Sequence, residues 1–191
     1  MENIKYGVPE IIASFLGAFL IVVVEWMEKY AIYCGFLPLE VYNWIQFRVL
    51  VVSLVAVFFG PVAGIVCGIG GDMLINVILE TSISYTEVIT MGFFGFFLGK
   101  NYDRFMVREG RFGMQEYFDF NVISIMTGIS AGVMIMPLLS FLIAKSNLFA
   151  TVTVGIKSVV GNSVINAIVC GIAMAVASNI FRKLKKKKYD I

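Results

Sequence analysis

Polar residues stand at intervals inside runs that are otherwise apolar: Arg48, Asp72, Glu87, Lys157, Asn162 and Asn166. A membrane-buried ionisable group is costly and marks a functional position by default. A pocket offering amide, carboxylate and basic groups suits a planar heterocycle. The chemistry that is missing matters as much. The chain has no histidine, so the commonest proton shuttle and metal ligand is absent, and with it Ser-His hydrolases and His-ligated zinc proteases. Cys34, Cys67 and Cys170 are far apart with no C-x-x-C spacing, so no disulfide framework or metal site is expected. No catalytic residue, metal or cofactor is predicted.

Each polar residue also has a plainer role open to it. Arg48 can snorkel to the membrane surface, and Glu87, like Glu25, can simply be solvated. Asp72 and Lys157 can form a structural ion pair. Asn162 and Asn166, one turn apart, can bond helix to helix. Tyr42, Trp44 and Tyr85 suit an interfacial aromatic belt or a stacking surface for a planar ligand.

These residues need elements to hold them, and composition says which. The chain has 191 residues, of which 59% are hydrophobic and 15% charged, with a mean hydropathy of +0.88. A soluble domain is nearer half apolar and a quarter charged. The apolar excess falls in runs long enough to cross a bilayer, which takes about 20 residues. The expectation is an all-α integral membrane protein: one domain over residues 1–191, a six-transmembrane-helix bundle. The spans fall at about residues 10–30, 44–60, 61–80, 85–99, 121–144 and 151–181. Lipid offers backbone groups no partner, so all must be helices. The start, "MENIKYGVPE", lacks a basic signal-peptide region and reads as mature protein.

Charge placement sets the orientation. Lys100, Arg104, Arg108 and Arg111 follow the fourth span, and the tail adds Arg182, Lys183, Lys185, Lys186, Lys187 and Lys188. The positive-inside rule then places the N and C termini in the cytoplasm. The tail is either a topology anchor or a lipid-binding switch. With about 1.5 Å of rise per residue, Asp72 lies roughly 16 Å up from Pro61, beyond the midplane. Arg48, Glu87, Lys157, Asn162 and Asn166 reach the same outer half from other helices. A continuous ion path needs polar groups at both levels, so the pattern fits a pocket opening outward. The apolar segment "KYAIYCGFLPLEVYN" between the first two spans is long enough to be a binding loop or lid. On span one, Ala13 with Gly17 and Ser14 with Ala18 form small-x-x-x-small faces that let helices approach closely, whether in this chain or in another subunit. No phosphate-binding loop is present, so ATP-driven work falls to another chain.

The stretch "AVFFGPVAGIVCGIGGDML" gathers the turn between spans two and three: Phe59, Gly60, Pro61, Gly64, Gly68, Gly71 and Asp72. In a six-helix layout without a nucleotide site, it resembles the substrate-binding S component of an energy-coupling factor (ECF) vitamin transporter over nearly the whole chain. "GKNYDRFMVREGRFGMQEYFDFN" and "VVGNSVINAI" are most similar to the riboflavin-type or UPF0397-like branch. The resemblance implies a small water-soluble vitamin or precursor held near the outer face, under the first outer loop and among helices four to six. It implies docking of helix one, here through Ala13, Ser14, Gly17 and Ala18, on a transmembrane coupling subunit. Two ATPase subunits would then drive toppling of the S component. The family often has Ala-x-x-x-Ala where this chain has Ala-x-x-x-Gly. Location in a prokaryotic plasma membrane follows, with the lipid bilayer as a partner and no nucleic acid. The rivals are a stand-alone secondary carrier, disfavoured by the lack of two matching broken-helix repeats, and a membrane enzyme. Riboflavin, queuosine precursors, other nucleobase-like compounds, thiamine precursors and folate all remain open as ligands.

Overall fold

A computed structural model describes residues 7–42, 44–79 and 84–189, leaving aside the side chains of Tyr42 and of residues 187–189. The described residues are helical apart from turns and short connections. The helices are α1 (Val8–Tyr33), α2 (Leu39–Tyr42), α3 (Phe47–Phe59), α4 (Pro61–Ile78), α5 (Tyr85–Gly99), α6 (Met114–Gly128), α7 (Met136–Ala144), α8 (Leu148–Ile165) and α9 (Gly171–Tyr189). A π-helical segment, Ile129–Ile135, joins α6 to α7, and a second, Asn166–Cys170, joins α8 to α9. Among the described residues, four stretches are long and apolar enough to cross a membrane: Val8–Tyr33, Pro61–Ile78, Met114–Ala144 and Leu148–Lys186. Phe47–Phe59 and Tyr85–Gly99 are shorter apolar helices.

Close packing rests on missing side chains, because in lipid there is no hydrophobic drive to press helices together. Gly64 of α4 and Gly95 of α5 meet backbone to backbone, with no room for a Cβ on either. One turn on, a Cβ on Gly68 would lie 2.6 Å from the Met91 carbonyl oxygen. Gly60 ends α3 with φ +88°, and Pro61 starts α4 at once. That positive φ suits glycine, and proline's fixed φ suits the first helical position. The chain thus reverses with no loop at all.

Two features go beyond the sequence reading. The polar stretch after α5 is folded. It holds a 3-10 turn, Tyr102–Phe105, and α6 begins at Met114 rather than near residue 121. Phe105, Val107 and Phe120 are buried, with Phe105 and Phe120 edge to face at 5.6 Å. Isolated apolar residues between charges anchor this segment under the bundle, a pattern that hydropathy averaged over a window does not see. The small-residue faces of α1 are also turned inward. Ser14, Gly17 and Ala18 are buried and Ala13 is half-buried. A Cβ on Gly17 would come within 2.7 Å of Val55 and 2.8 Å of the Cys67 sulfur. Close approach is used within the chain, against α3 and α4, so three of the four residues assigned to docking present no outer surface. The exposed face of α1 is larger and apolar, with Ile12, Phe15, Leu16 and Phe19.

The basic segment closes one end of the bundle. Arg108 lies 3.5 Å from Glu10 at the start of α1 and covers the Phe59 ring at 5.4 Å. The Phe112 N–H donates to Ser178 Oγ at 3.1 Å, and Gly110 packs on the Arg182 backbone. The start of α1, the α3–α4 turn, the segment after α5 and α9 therefore gather together.

Candidate functional site

The opposite end of the bundle holds the polar cluster, and the start of α3 organises it. A helix N-terminus leaves backbone N–H groups without intrahelical partners, and Gln46 makes no side-chain cap for α3. Other helices supply what is missing. Glu28 of α1 accepts the Phe47 N–H at 3.2 Å, and Asn162 Oδ1 of α8 accepts the Gln46 N–H at 2.8 Å. A carboxylate is favoured at that positive end of the helix dipole. Gly161 lets the Trp44 carbonyl come against α8, which seats the turn that leads into α3. The first turn of α3 is thereby held from two sides, and Arg48 with it.

Arg48 bridges three elements. Its Nη1 lies 3.3 Å from Asp72 Oδ1 on α4, and its Nη2 lies 3.1 Å from Glu87 Oε2 on α5. Gln46 Oε1 accepts a further bond from Nη2 at 3.3 Å. The Asp72 side chain is 2% exposed and that of Glu87 38%. One carboxylate is sealed behind the guanidinium while the other meets open space.

Beside this network lies a cavity between α3, α5, the α6–α7 helix and α8. Arg48, Gln46 and Glu87 form its charged end, and Phe94, Met91 and Val159 contribute apolar wall. Asn162 and Asn166 run down one side. Asn162 Nδ2 donates to Ser158 Oγ at 2.9 Å, and Asn166 Nδ2 donates to Ser53 Oγ at 3.0 Å and to Ser124 Oγ at 3.4 Å. Both π-helical segments border the cavity, through Ala131 and Gly132 in one and Asn166 in the other. Such bulges recur at functional sites. A mostly apolar hollow with a few convergent polar groups is the usual form of a small-molecule site.

Of the residues singled out from the sequence, Arg48, Glu87, Asn162 and Asn166 line the cavity, and Asp72 stands directly behind Arg48. Lys157 does not line it and is exposed. The reason is angular: five residues from Asn162 amount to about 140° around the helix, whereas Ser158 and Asn166, four away, share its face. The Asp72 carboxylate pairs with Arg48 rather than with Lys157. Trp44 and Tyr85, 42% and 63% exposed, flank this end without lining the cavity, and the side chain of Tyr42 lies outside the described residues. Glu25, expected to be solvated, is buried, as is Glu28. Sequence reading passed over Gln46, Glu28, Ser53, Ser124 and Ser158. Only Ser158 left a signal, its four-residue step to Asn162; the others are set by contacts between helices.

The chain is similar to known proteins over most of its length. Residues 30–179 match the family model described as ECF-type riboflavin transporter, S component. The chain belongs to that family. It is therefore a substrate-binding transporter subunit, not an enzyme, and a multi-pass protein of the plasma membrane. Its relatives are bacterial. A UPF0397 protein of Lactococcus lactis subsp. cremoris (strain SK11) is 28% identical over 185 residues, covering 96% of this chain and 90% of the relative. A UPF0397 protein of Streptococcus gordonii is 30% identical over 178 residues, covering 92% and 86%. A third, from Streptococcus pneumoniae (strain Taiwan19F-14), is 23% identical over 179 residues, covering 93% and 90%. No solved structure matches the chain. The family match spans every helix that borders the cavity, α3 through the second π-helical segment.

Proposed function

We propose that this ECF S component is a single domain that crosses the membrane six times with both termini in the cytoplasm. It binds a small water-soluble vitamin or nucleobase-like micronutrient, with riboflavin or a queuosine precursor favoured. A transmembrane coupling subunit and two ATPase subunits drive it to topple and release the ligand inward. The observation that carries this reading is the cavity beside Arg48, Asn162 and Asn166, at the end of the bundle away from the basic segment. With the arginines and lysines of that segment and of α9 facing the cytoplasm, the cavity faces the source of nutrient. Its amide and hydroxyl groups offer in-plane hydrogen bonds, and Phe94 and Met91 offer a face for a ring.

Native mass spectrometry of the purified protein tests the reading. A bound heterocyclic compound that is lost on Asn162→Ala, with the fold intact by thermal unfolding, is the expected result. No retained molecule, and no binding of riboflavin by titration calorimetry, would count against the cavity as the substrate site. Uptake by cells that persists when a proton uncoupler is added and stops when ATP is depleted separates an ATP-driven importer from a stand-alone carrier.

A further inference from the structure

The charges at the cavity do not balance, and the imbalance restricts what can enter. Among the described residues lining it, Arg48 is the one cation and Glu87 the one carboxylate. Arg48 is already held by Asp72 Oδ1, Glu87 Oε2 and Gln46 Oε1. One guanidinium against two carboxylates leaves the group with a net negative charge. The other buried charged groups that act on this network do not reverse it: they are carboxylates too, Glu25 beside Asp72 and Glu28 beside Arg48, while Lys29 and Lys157 are exposed. An acidic group on a ligand that approaches Arg48 meets the two carboxylates already paired with it, and to take over its Nη atoms it must displace one of them. Asp72, 2% exposed, has no water to turn to, and a buried charge stripped of its partner is strongly destabilising. Displacing Glu87 sets two anions side by side, and like charges brought together at a binding site disfavour the wrong partner.

We propose that this cavity accepts an uncharged or cationic heterocycle bearing N–H donors and rejects the phosphorylated or carboxylated form of the same compound, with Glu87 as the residue that sets the choice. Glu87 is suited to this because its side chain is the more open of the two carboxylates. An ionised carboxylate only accepts hydrogen bonds, so it meets a ring N–H or an ammonium and repels an anion. The proposal rests on the reading of the cavity as the substrate site.

The test uses the purified full-length chain in detergent. Riboflavin with riboflavin 5′-phosphate, and thiamine with thiamine monophosphate, serve as matched probes in calorimetric titration. Any co-purified molecule is identified by mass. The expected result is that the free member of a pair binds at least about tenfold more tightly than its phosphate, or that the co-purified molecule carries no acidic group. In Glu87→Gln the preference should shrink towards equality, because the net negative charge is gone and Arg48 can serve the phosphate. Glu87→Asp, which keeps the charge, should retain it. A ligand bound through a phosphate or carboxylate, or a preference unchanged in Glu87→Gln with the fold intact by thermal unfolding, overturns the proposal. If neither pair binds and nothing co-purifies, the substrate-site reading itself falls, and the proposal with it.

Discussion

At the scale of single residues, the two sides of α8 make opposite predictions. Asn162 holds both the Gln46 N–H and Ser158, and it borders the cavity. Asn162→Ala should remove a buried hydrogen bond and cost about 1–3 kcal/mol of ligand binding, roughly 5- to 150-fold in Kd, measured by calorimetric titration. Part of that loss should also appear as a lower unfolding temperature, since the Gln46 N–H loses its partner. Lys157→Met, on the exposed side of the same helix, should leave Kd within about twofold, because surface substitutions away from such contacts usually change stability by under about 0.5 kcal/mol. A large loss of affinity in Lys157→Met would mean that the ligand sits outside the cavity. The aromatic rim residues Trp44 and Tyr85 were as conspicuous in the sequence as the asparagines, yet they stay exposed. Type and spacing alone did not separate the two groups.

At the scale of elements, the α4–α5 contact is set by glycines. A Cβ on Gly68 would strike the Met91 carbonyl at 2.6 Å, and a backbone atom cannot rotate away. Gly68→Val should therefore push α5 off α4 and cost about 1–3 kcal/mol or more by overpacking, read as a lower unfolding temperature in detergent. Gly70→Ala is the control, because its Cβ would sit 3.5 Å from the Ala18 methyl, an ordinary contact. Loss of stability in the control alone would reverse the assignment of which face of α4 meets α5. The same logic bears on α1. Gly17→Trp would collide with Val55 and Cys67 inside the chain, so it should unfold the bundle rather than report on docking. A docking test belongs on the exposed Phe15 and Phe19.

At the scale of the whole molecule, orientation is the point to test, and the chain carries its own probe. Cys34 is exposed just past α1, while Cys67 and Cys170 are buried. A membrane-impermeant thiol reagent should label the unaltered protein at Cys34 in intact cells. In a Cys34→Ser background, Glu109→Cys, in the basic segment at the other end, should react only after the membrane is opened. Gly110 is unsuited to that purpose, since its φ of +74° and its contact with Arg182 leave no room for a side chain. Labelling of position 109 in intact cells, together with protection of Cys34 in the unaltered protein, would invert the molecule and place the cavity on the cytoplasmic side.

The sequence by itself determined the solvent and the class of element. Apolar runs separated by charged stretches admit only helices in lipid, and Gly60-Pro61 marked a helix reversal that the backbone carries out in two residues. It also singled out Arg48, Asp72, Glu87, Lys157, Asn162 and Asn166, because each was anomalous in its own run, but gave no sign of Gln46, Glu28, Ser53 or Ser124. Which of them share a cavity was decided by the tertiary structure alone. Arg48, Asp72 and Glu87 are 24 and 39 residues apart along the chain, and no local pattern records that α3, α4 and α5 deliver them to one point. Nor does a local pattern reveal that Glu28 and Asn162 complete the start of α3. Helical periodicity fixes the angle of a side chain about its own axis. The rotation of that axis against its neighbours follows from where the glycines allow two backbones to touch.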